Sequence, residues 1–242
     1  MRALVFVHGY LGGSAQWAGQ AEAFSASARV ITPDLPGYGL NNALPAPDEI
    51  GAFADYVLEQ VRAVGVDRFD LVGHSMGGMI VQEMVARAPQ RVERLVLYGT
   101  GPVGLLPGRF ETIDESKRRL EADGLEATGR RISATWFVER EQAENYPVCA
   151  ELAAMASRQA GLAGLSAMEK WSGETALAEI ASPTLVLWGD CDRTYLWSQP
   201  YQLWQGIEGA RLAVIPGCAH AVHLEKPALF NAMLADFLEL GR

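Results

Sequence analysis

Asp70-Leu71-Val72-Gly73-His74-Ser75-Met76-Gly77-Gly78-Met79-Ile80 is the stretch from which the rest of the chain is read. The run Phe69 to Val72 reads as a buried strand. It breaks at Gly73, and from Met79 onward Ile80, Met84 and Val85 recur at helical spacing. Between strand and helix stands Gly73-His74-Ser75-Met76-Gly77, a match to G-x-S-x-G. A serine on a strained strand-to-helix turn projects its hydroxyl above the sheet, and Cβ atoms on the flanking residues would collide there. The N-terminus of the following helix directs N–H groups and a partial positive charge at the point where an oxyanion would develop. Gly78 adds a second small residue for close helix packing.

Working outward, strand-like and helix-like runs alternate. Ala3 to Val7 is a continuous apolar run, as a strand buried on both faces requires, and it ends in the glycine-rich turn His8-Gly9-Tyr10-Leu11-Gly12-Gly13. A helix is predicted from Ala15 to Phe24 and a strand over Arg29 to Thr32, closed by Pro33-Asp34-Leu35-Pro36-Gly37-Tyr38-Gly39. Asp48 is placed to cap a helix running to about Val64, with Phe53, Val57, Leu58 and Val61 on one face. Arg94 to Tyr98, Pro183 to Trp188 and Arg211 to Ile215 read as further strands, and Pro227 to Leu240 as a closing helix. From Gly101 to Ser182 no strand-like run occurs; amphipathic stretches near 112–122, 125–138, 147–160 and 162–171 predict a helical insertion. The expected organisation is a core of residues 1–100 and 183–242 with a lid at 101–182. Alternating strands and helices imply a parallel sheet covered on both faces, an α/β fold of about six strands.

Composition narrows the functional classes. The 242 residues are 49% hydrophobic and 20% charged, as in an ordinary globular protein with a sizeable core. A net charge of −9 disfavours nucleic acid and anionic membrane as partners. Cys149, Cys191 and Cys218 have no metal-ligand spacing and are odd in number, so free thiols in a reducing cytoplasm are expected and no metal or organic cofactor is implied. The apolar start is too short for a signal sequence, and no run reaches the length of a membrane span.

A serine nucleophile needs a base, and the base an orienting acid. Of the four histidines, His8 and His74 lie inside committed turns. His220 follows the last strand, at the carboxyl edge where ligands bind in such sheets, and is the candidate base. His223 is expected to pack beside the next helix. Asp192 and Asp190 both follow the preceding strand; Asp192 is preferred as the acid, with Asp190 as competitor in a capping role.

The order Ser75, Asp192, His220 resembles the lid-bearing α/β-hydrolase superfamily. The likeness rests on Val7-His8-Gly9-Tyr10, Asp34 to Gly39, Gly73 to Gly78, Gly189-Asp190-Cys191-Asp192 and Gly217-Cys218-Ala219-His220. It implies an oxyanion hole built from the backbone N–H groups of Tyr10 and Met76, and it also favours Asp192 as the acid. Leu11, in the His-Gly turn, and Trp136, in the insertion, are the candidate substrate-binding residues. Two departures stand out. Relatives commonly carry an antiparallel hairpin before the His-Gly strand, which here is missing, so Arg29–Thr32 is expected at a sheet edge needing protection. Tyr38-Gly39-Leu40-Asn41 also stands where many relatives have a histidine and a serine.

These features predict hydrolysis of a small carboxylic ester or lactone through an acyl-enzyme, by a monomer or homodimer. Carbon–carbon cleavage of ring-cleavage diketones is the alternative, with Arg130 and Arg131 in a lid helix available for a substrate carboxylate. A non-catalytic or slowly hydrolysing receptor on the same fold is the reading from another class.

Overall fold

Six apolar runs become six strands in the computed structural model, which describes residues 2–240. They are β1 (Arg2–Val7), β2 (Ala28–Ile31), β3 (Phe69–His74), β4 (Val92–Tyr98), β5 (Thr184–Gly189) and β6 (Arg211–Ile215). The sheet order is β2-β1-β3-β4-β5-β6, and every pairing is parallel. Parallel neighbours require crossovers, which here are helical. Successive residues of β1 alternate between the two covering layers. Val5 and Val7 join Phe53 and Val57 of α2 (Ile50–Ala63) and Ile80 and Met84 of α3 (Met76–Arg87). Leu4 and Phe6 face the opposite layer, with Phe24 of α1 (Ala18–Phe24) and the Phe230 and Leu234 side chains near the C-terminus. Each large apolar side chain buried in this way contributes about 1.5–3 kcal/mol.

β2 is the edge strand anticipated from the sequence, and it is only four residues long. Shortness itself limits what another strand could pair with. The Asp48 expectation is overturned. Helix α2 starts after Glu49, in extended conformation with no side-chain cap, while the Asp48 carboxylate pairs with Lys170 at 2.5 Å. Asp48 is thus one residue too early in the chain to occupy the capping position.

Between β4 and β5 the chain is helical: α4 (Ile113–Ala134), α5 (Tyr146–Met155) and α6 (Arg158–Lys170). The two predicted stretches 112–122 and 125–138 are one helix interrupted at Gly124, whose φ of +82° only glycine adopts readily. The later break falls at Ser157, earlier than the spacing predicted, because its hydroxyl caps the Ala160 N–H. After β5 come α7 (Ser198–Gly206), α8 (Val222–Glu225) and α9 (Pro227–Leu238). No helix among the described residues is long and apolar enough to cross a membrane.

Close approach explains the glycines at the centre. A Cβ on Gly77 would lie 2.3 Å from the Val7 carbonyl oxygen, so α3 could not rest on the end of β1. Gly77→Ala should therefore cost about 3 kcal/mol, lowering Tm by roughly 6–12 °C. Gly19→Ala is the control. That exposed helical position has nothing within 4 Å of a new Cβ, and the change should raise stability by about 0.4–1 kcal/mol. Thermal unfolding of both variants checks the pair.

Candidate active site

Ser75 stands at the head of α3 with φ 58° and ψ −123°, a conformation a serine holds only when its surroundings impose it. Its N–H donates to the Tyr98 carbonyl at 3.0 Å, which ties the turn to the end of β4. Its own carbonyl accepts from Gly78 N–H and from the Thr100 hydroxyl, each at 2.8 Å. The His8–Tyr10 turn presses on it from β1: a Cβ on Gly9 would lie 2.8 Å from Ser75 Cβ. The turn carrying Tyr10 and the start of α3 carrying Met76 thereby flank the serine.

The predicted acid and base meet. His220 Nδ1 lies 2.7 Å from Asp192 Oδ2, and both side chains are buried. The other Asp192 oxygen accepts the N–H groups of Thr194 at 2.7 Å and Tyr195 at 3.1 Å, so the carboxylate is aimed by its own turn. The loops after β5 and β6 are fastened together. Cys191 N–H donates to the Cys218 carbonyl, Asp190 N–H to the Ile215 carbonyl, and Asp190 Oδ1 accepts the Gly217 N–H at 2.7 Å. Asp190 therefore holds backbone and does not approach the imidazole. Cys218 is fully buried, and burial raises its thiol to about 11.

Ser75 opens into a narrow slot whose walls include Tyr10, Trp136, Met168, Tyr195 and Arg109. Trp136 lines it with its ring centroid 6.1 Å from that of His220. Leu11 does not line it. The side chain is fully buried in the apolar core, because the turn after β1 takes a φ of 57° there and carries Leu11 away from the slot. Nor are Arg130 and Arg131 free for a ligand: Arg130 is exposed and paired with Glu126, and Arg131 is paired with Glu111. Another hollow, of about 120 Å³, lies between α3 and the turn at 174–179 and contains none of the predicted site residues. Among the described residues no cluster of His, Cys, Asp or Glu is arranged to hold a metal ion.

The model of the alpha/beta hydrolase fold family matches residues 2–227. The chain is an α/β-hydrolase. It is 29% identical over 233 residues to RutD of Agrobacterium fabrum, named as a carbamate hydrolase, covering 94% of this chain and 89% of that protein. It is 31% identical over 252 residues to the 2-hydroxymuconate semialdehyde hydrolase of Pseudomonas sp. strain CF600, covering 97% and 86%. The enol-lactonase of Burkholderia xenovorans LB400 superposes with a TM-score of 0.88 at 23% identity, covering 99% of this chain and 92% of that one, a likeness of fold.

Several residues around this site have roles that the sequence reading does not assign, although Glu225 belongs to the His223-Leu224-Glu225 run that carries part of the family resemblance. Tyr195 stacks on His220 with centroids 5.5 Å apart and planes 11° from parallel. Burial raises its hydroxyl to about 12, against the lowering influence of the Ser75 side chain, the Arg109 charge and Thr100. Its position three residues beyond Asp192 was the only hint. Glu225 accepts the N–H groups of Ala219 and Val138, and Ala221 N–H donates to the Trp136 carbonyl, so the base loop is sewn to the end of α4. Gln16 is the least foreseeable. Its amide donates to His74 Nδ1 at 3.3 Å and to His223 Nε2 at 3.5 Å. That sets both tautomers: His74 Nε2–H donates to the His220 carbonyl at 3.1 Å, and His223 Nδ1–H donates to the Tyr98 oxygen at 3.0 Å. Tyr98 O–H then also donates to the His220 carbonyl, at 2.8 Å.

This arrangement requires uncharged histidines. Burial holds His8 below its ordinary pKa and His74 well below it, and takes His223 down to about 3, with the His220 charge adding to the last two. In the unfolded chain each titrates near about 6.5. Below that pH the unfolded chain takes up protons that the fold refuses. For His223 the stabilisation is complete above about pH 6.5 and is lost as pH falls toward about 3, at roughly 1.4 kcal/mol per pH unit, and His8 and His74 act in the same direction. Tm should fall steadily from about pH 6.5 to 4.5, and His223→Asn should shallow that slope by about one proton's worth. A slope the substitution leaves unchanged contradicts the assignment.

Proposed function

We propose that this hydrolase cleaves a small carboxylic ester or lactone through a Ser75 acyl-enzyme. The observation that carries the reading is the buried 2.7 Å His220–Asp192 contact, with the His220 ring packed against Trp136 and Tyr195, two walls of the slot into which the strained Ser75 turn opens. His220 removes the Ser75 proton as the hydroxyl oxygen attacks the carbonyl carbon. Asp192 keeps the proton on Nδ1, leaving Nε2 to act as base, and stabilises the imidazolium that forms. The tetrahedral oxyanion is received by the Tyr10 and Met76 N–H groups, each such donor being worth about 10²–10³ in rate. The imidazolium protonates the leaving oxygen. Water, activated by the same imidazole, then attacks the acyl carbonyl and frees Ser75. Helices α4 to α6 act as the cover of the slot, with Trp136 and Met168 lining it from above.

Carbon–carbon hydrolysis is the second reading, favoured by the 31% identity to a 2-hydroxymuconate semialdehyde hydrolase. It calls on the same residues, so a panel of p-nitrophenyl esters, lactones and a ring-cleavage diketone separates the two by relative kcat/KM.

Ser75→Ala should abolish ester cleavage in a protein that still unfolds cooperatively, and retained turnover above about a tenth removes the serine mechanism. Asp192→Asn should lower kcat by about 10⁴, since the imidazole loses the partner that fixes its tautomer. Asp190→Asn should leave turnover near normal, because its carboxylate accepts the Gly217 N–H and the Cys191 thiol and makes no contact with the imidazole. The reverse pattern of kcat values would exchange their roles.

Trp136→Ala should enlarge the slot beside His220 and shift the preferred acyl chain toward greater length. An unaltered chain-length profile with a lower Tm would make Trp136 a packing residue alone.

A further inference from the structure

We propose that the substrate of this slot carries a carboxylate remote from its scissile carbonyl, and that Arg109 is the residue that receives it. The inference rests on the hydrolase reading above and names the substrate class it leaves open.

Arg109 lines the same slot as Ser75 and Tyr195, in walls that are otherwise largely apolar: Leu106, Phe110, Ile113 and Ile132. Its Nη1 donates to the Glu111 carbonyl at 2.9 Å and to the Ser116 hydroxyl at 3.0 Å, and its guanidinium lies 4.6 Å from the centre of the Phe110 ring. Among the described residues no carboxylate forms an ion pair with it. The nearest candidate is already committed. Glu111, a buried carboxylate, is held by Arg131, by the Ser116 hydroxyl at 2.5 Å and by Arg119 at 3.8 Å. Within this cluster Arg131 Nη2 is buried without any hydrogen-bond partner. Glu111 is thus taken up by Arg131, Arg119 is paired more closely with Glu115 at 2.9 Å, and Arg109, which lines the slot, is left without a carboxylate.

Arg109 is half-buried, and a cation partly withdrawn from water without a counter-ion loses hydration that nothing repays. Burial accordingly presses the Arg109 pKa below its ordinary value. A ligand carboxylate removes that cost at the moment of binding, and the planar fork of a guanidinium matches the two oxygens of a carboxylate. The unpaired cation also disfavours neutral substrates of the same length, which would enclose the charge and leave it uncompensated. That repulsive element supplies selectivity as well as affinity.

The test compares p-nitrophenyl hexanoate with mono-p-nitrophenyl adipate, equal in chain length and different in the terminal carboxylate. The wild-type enzyme should favour the adipate in kcat/KM. Arg109→Gln should lower the adipate-to-hexanoate ratio by about 10²-fold, and Arg109→Lys should restore part of it. A wild-type preference for hexanoate, or an equal loss on both esters in Arg109→Gln, overturns the proposal. If neither ester is cleaved, the esterase reading falls and adipate binding decides the inference. A rise in wild-type Tm with added adipate, absent with hexanoate and lost in Arg109→Gln, upholds it; no rise with adipate overturns it. Should Arg109→Gln fail to fold, Arg109→Lys carries the comparison, with a fall in the ratio expected and an unchanged ratio counting against.

Discussion

The carbonyl oxygen of His220 accepts two hydrogen bonds, from Tyr98 and from His74, and the geometry of the site depends on that pair. In the proposed reaction the imidazole alternates between accepting and giving a proton, so its ring nitrogens are committed to chemistry. Its position must come from its backbone. Here the backbone is held from the ends of β3 and β4, by rings 4.5 Å apart that are themselves stacked. Behind them Gln16, from the turn before α1, fixes which nitrogen of His74 and of His223 carries hydrogen. A protonated His74 or His223 would lose the acceptor nitrogen that the Gln16 amide uses. Burial, which keeps both neutral, is therefore what makes the network directional. The same burial is why the fold should weaken in acid.

Much of this architecture is legible in the residues, for identifiable reasons. Parallel strands buried on both faces leave continuous apolar runs, and glycines at forced contacts leave spacing that chance rarely reproduces. Those two signals are enough for the six strands and the serine turn. Asp190, Asp192 and His220 follow from their places after the last two strands, and the preference for Asp192 draws also on the capping position of Asp190 and on the family resemblance. What escapes is whatever depends on three-dimensional neighbours. Gln16 reads as one polar residue of a helix, Arg109 as one charge in a Gly- and Pro-containing loop, and Glu225 as the end of a short helix. Each gains its role only when a remote segment is brought against it. Leu11 fails for the complementary reason. Adjacency in sequence to Tyr10 places it in the right turn, but the backbone at that residue takes it into the core.

The same distinction governs the insert between β4 and β5. Its amphipathic stretches reveal helices but not where they dock, and docking is decided by small residues whose reason is invisible until the partners are known. Tyr10 and Tyr38 donate their hydroxyls to the Gly161 and Ala160 carbonyls of α6, at 3.0 and 2.8 Å. A Cβ on Gly164 would lie 2.2 Å from the Tyr38 hydroxyl, so only glycine lets α6 lie this near the two rings. The tyrosine standing where many relatives have a histidine thus becomes a post on which the insert rests.

These anchors bear on how the slot can change. One end of the insert is tied through Tyr10 and Tyr38 to the turns after β1 and β2, and the end of α4 is tied through Glu225 and the Trp136 carbonyl to the base loop. Both sets of bonds end on segments that also position the reacting groups. A movement of the insert large enough to widen the slot would strain the turn bearing the Tyr10 N–H or the loop bearing His220. Altered selectivity is therefore more accessible through side chains that line the slot without holding its frame, such as Met168, Leu106 and Ile132. Volume-conserving exchanges there cost under about 1.5 kcal/mol. Loss of a buried hydroxyl donor such as that of Tyr38 removes a hydrogen bond worth about 0.5–1.5 kcal/mol and loosens the frame as well.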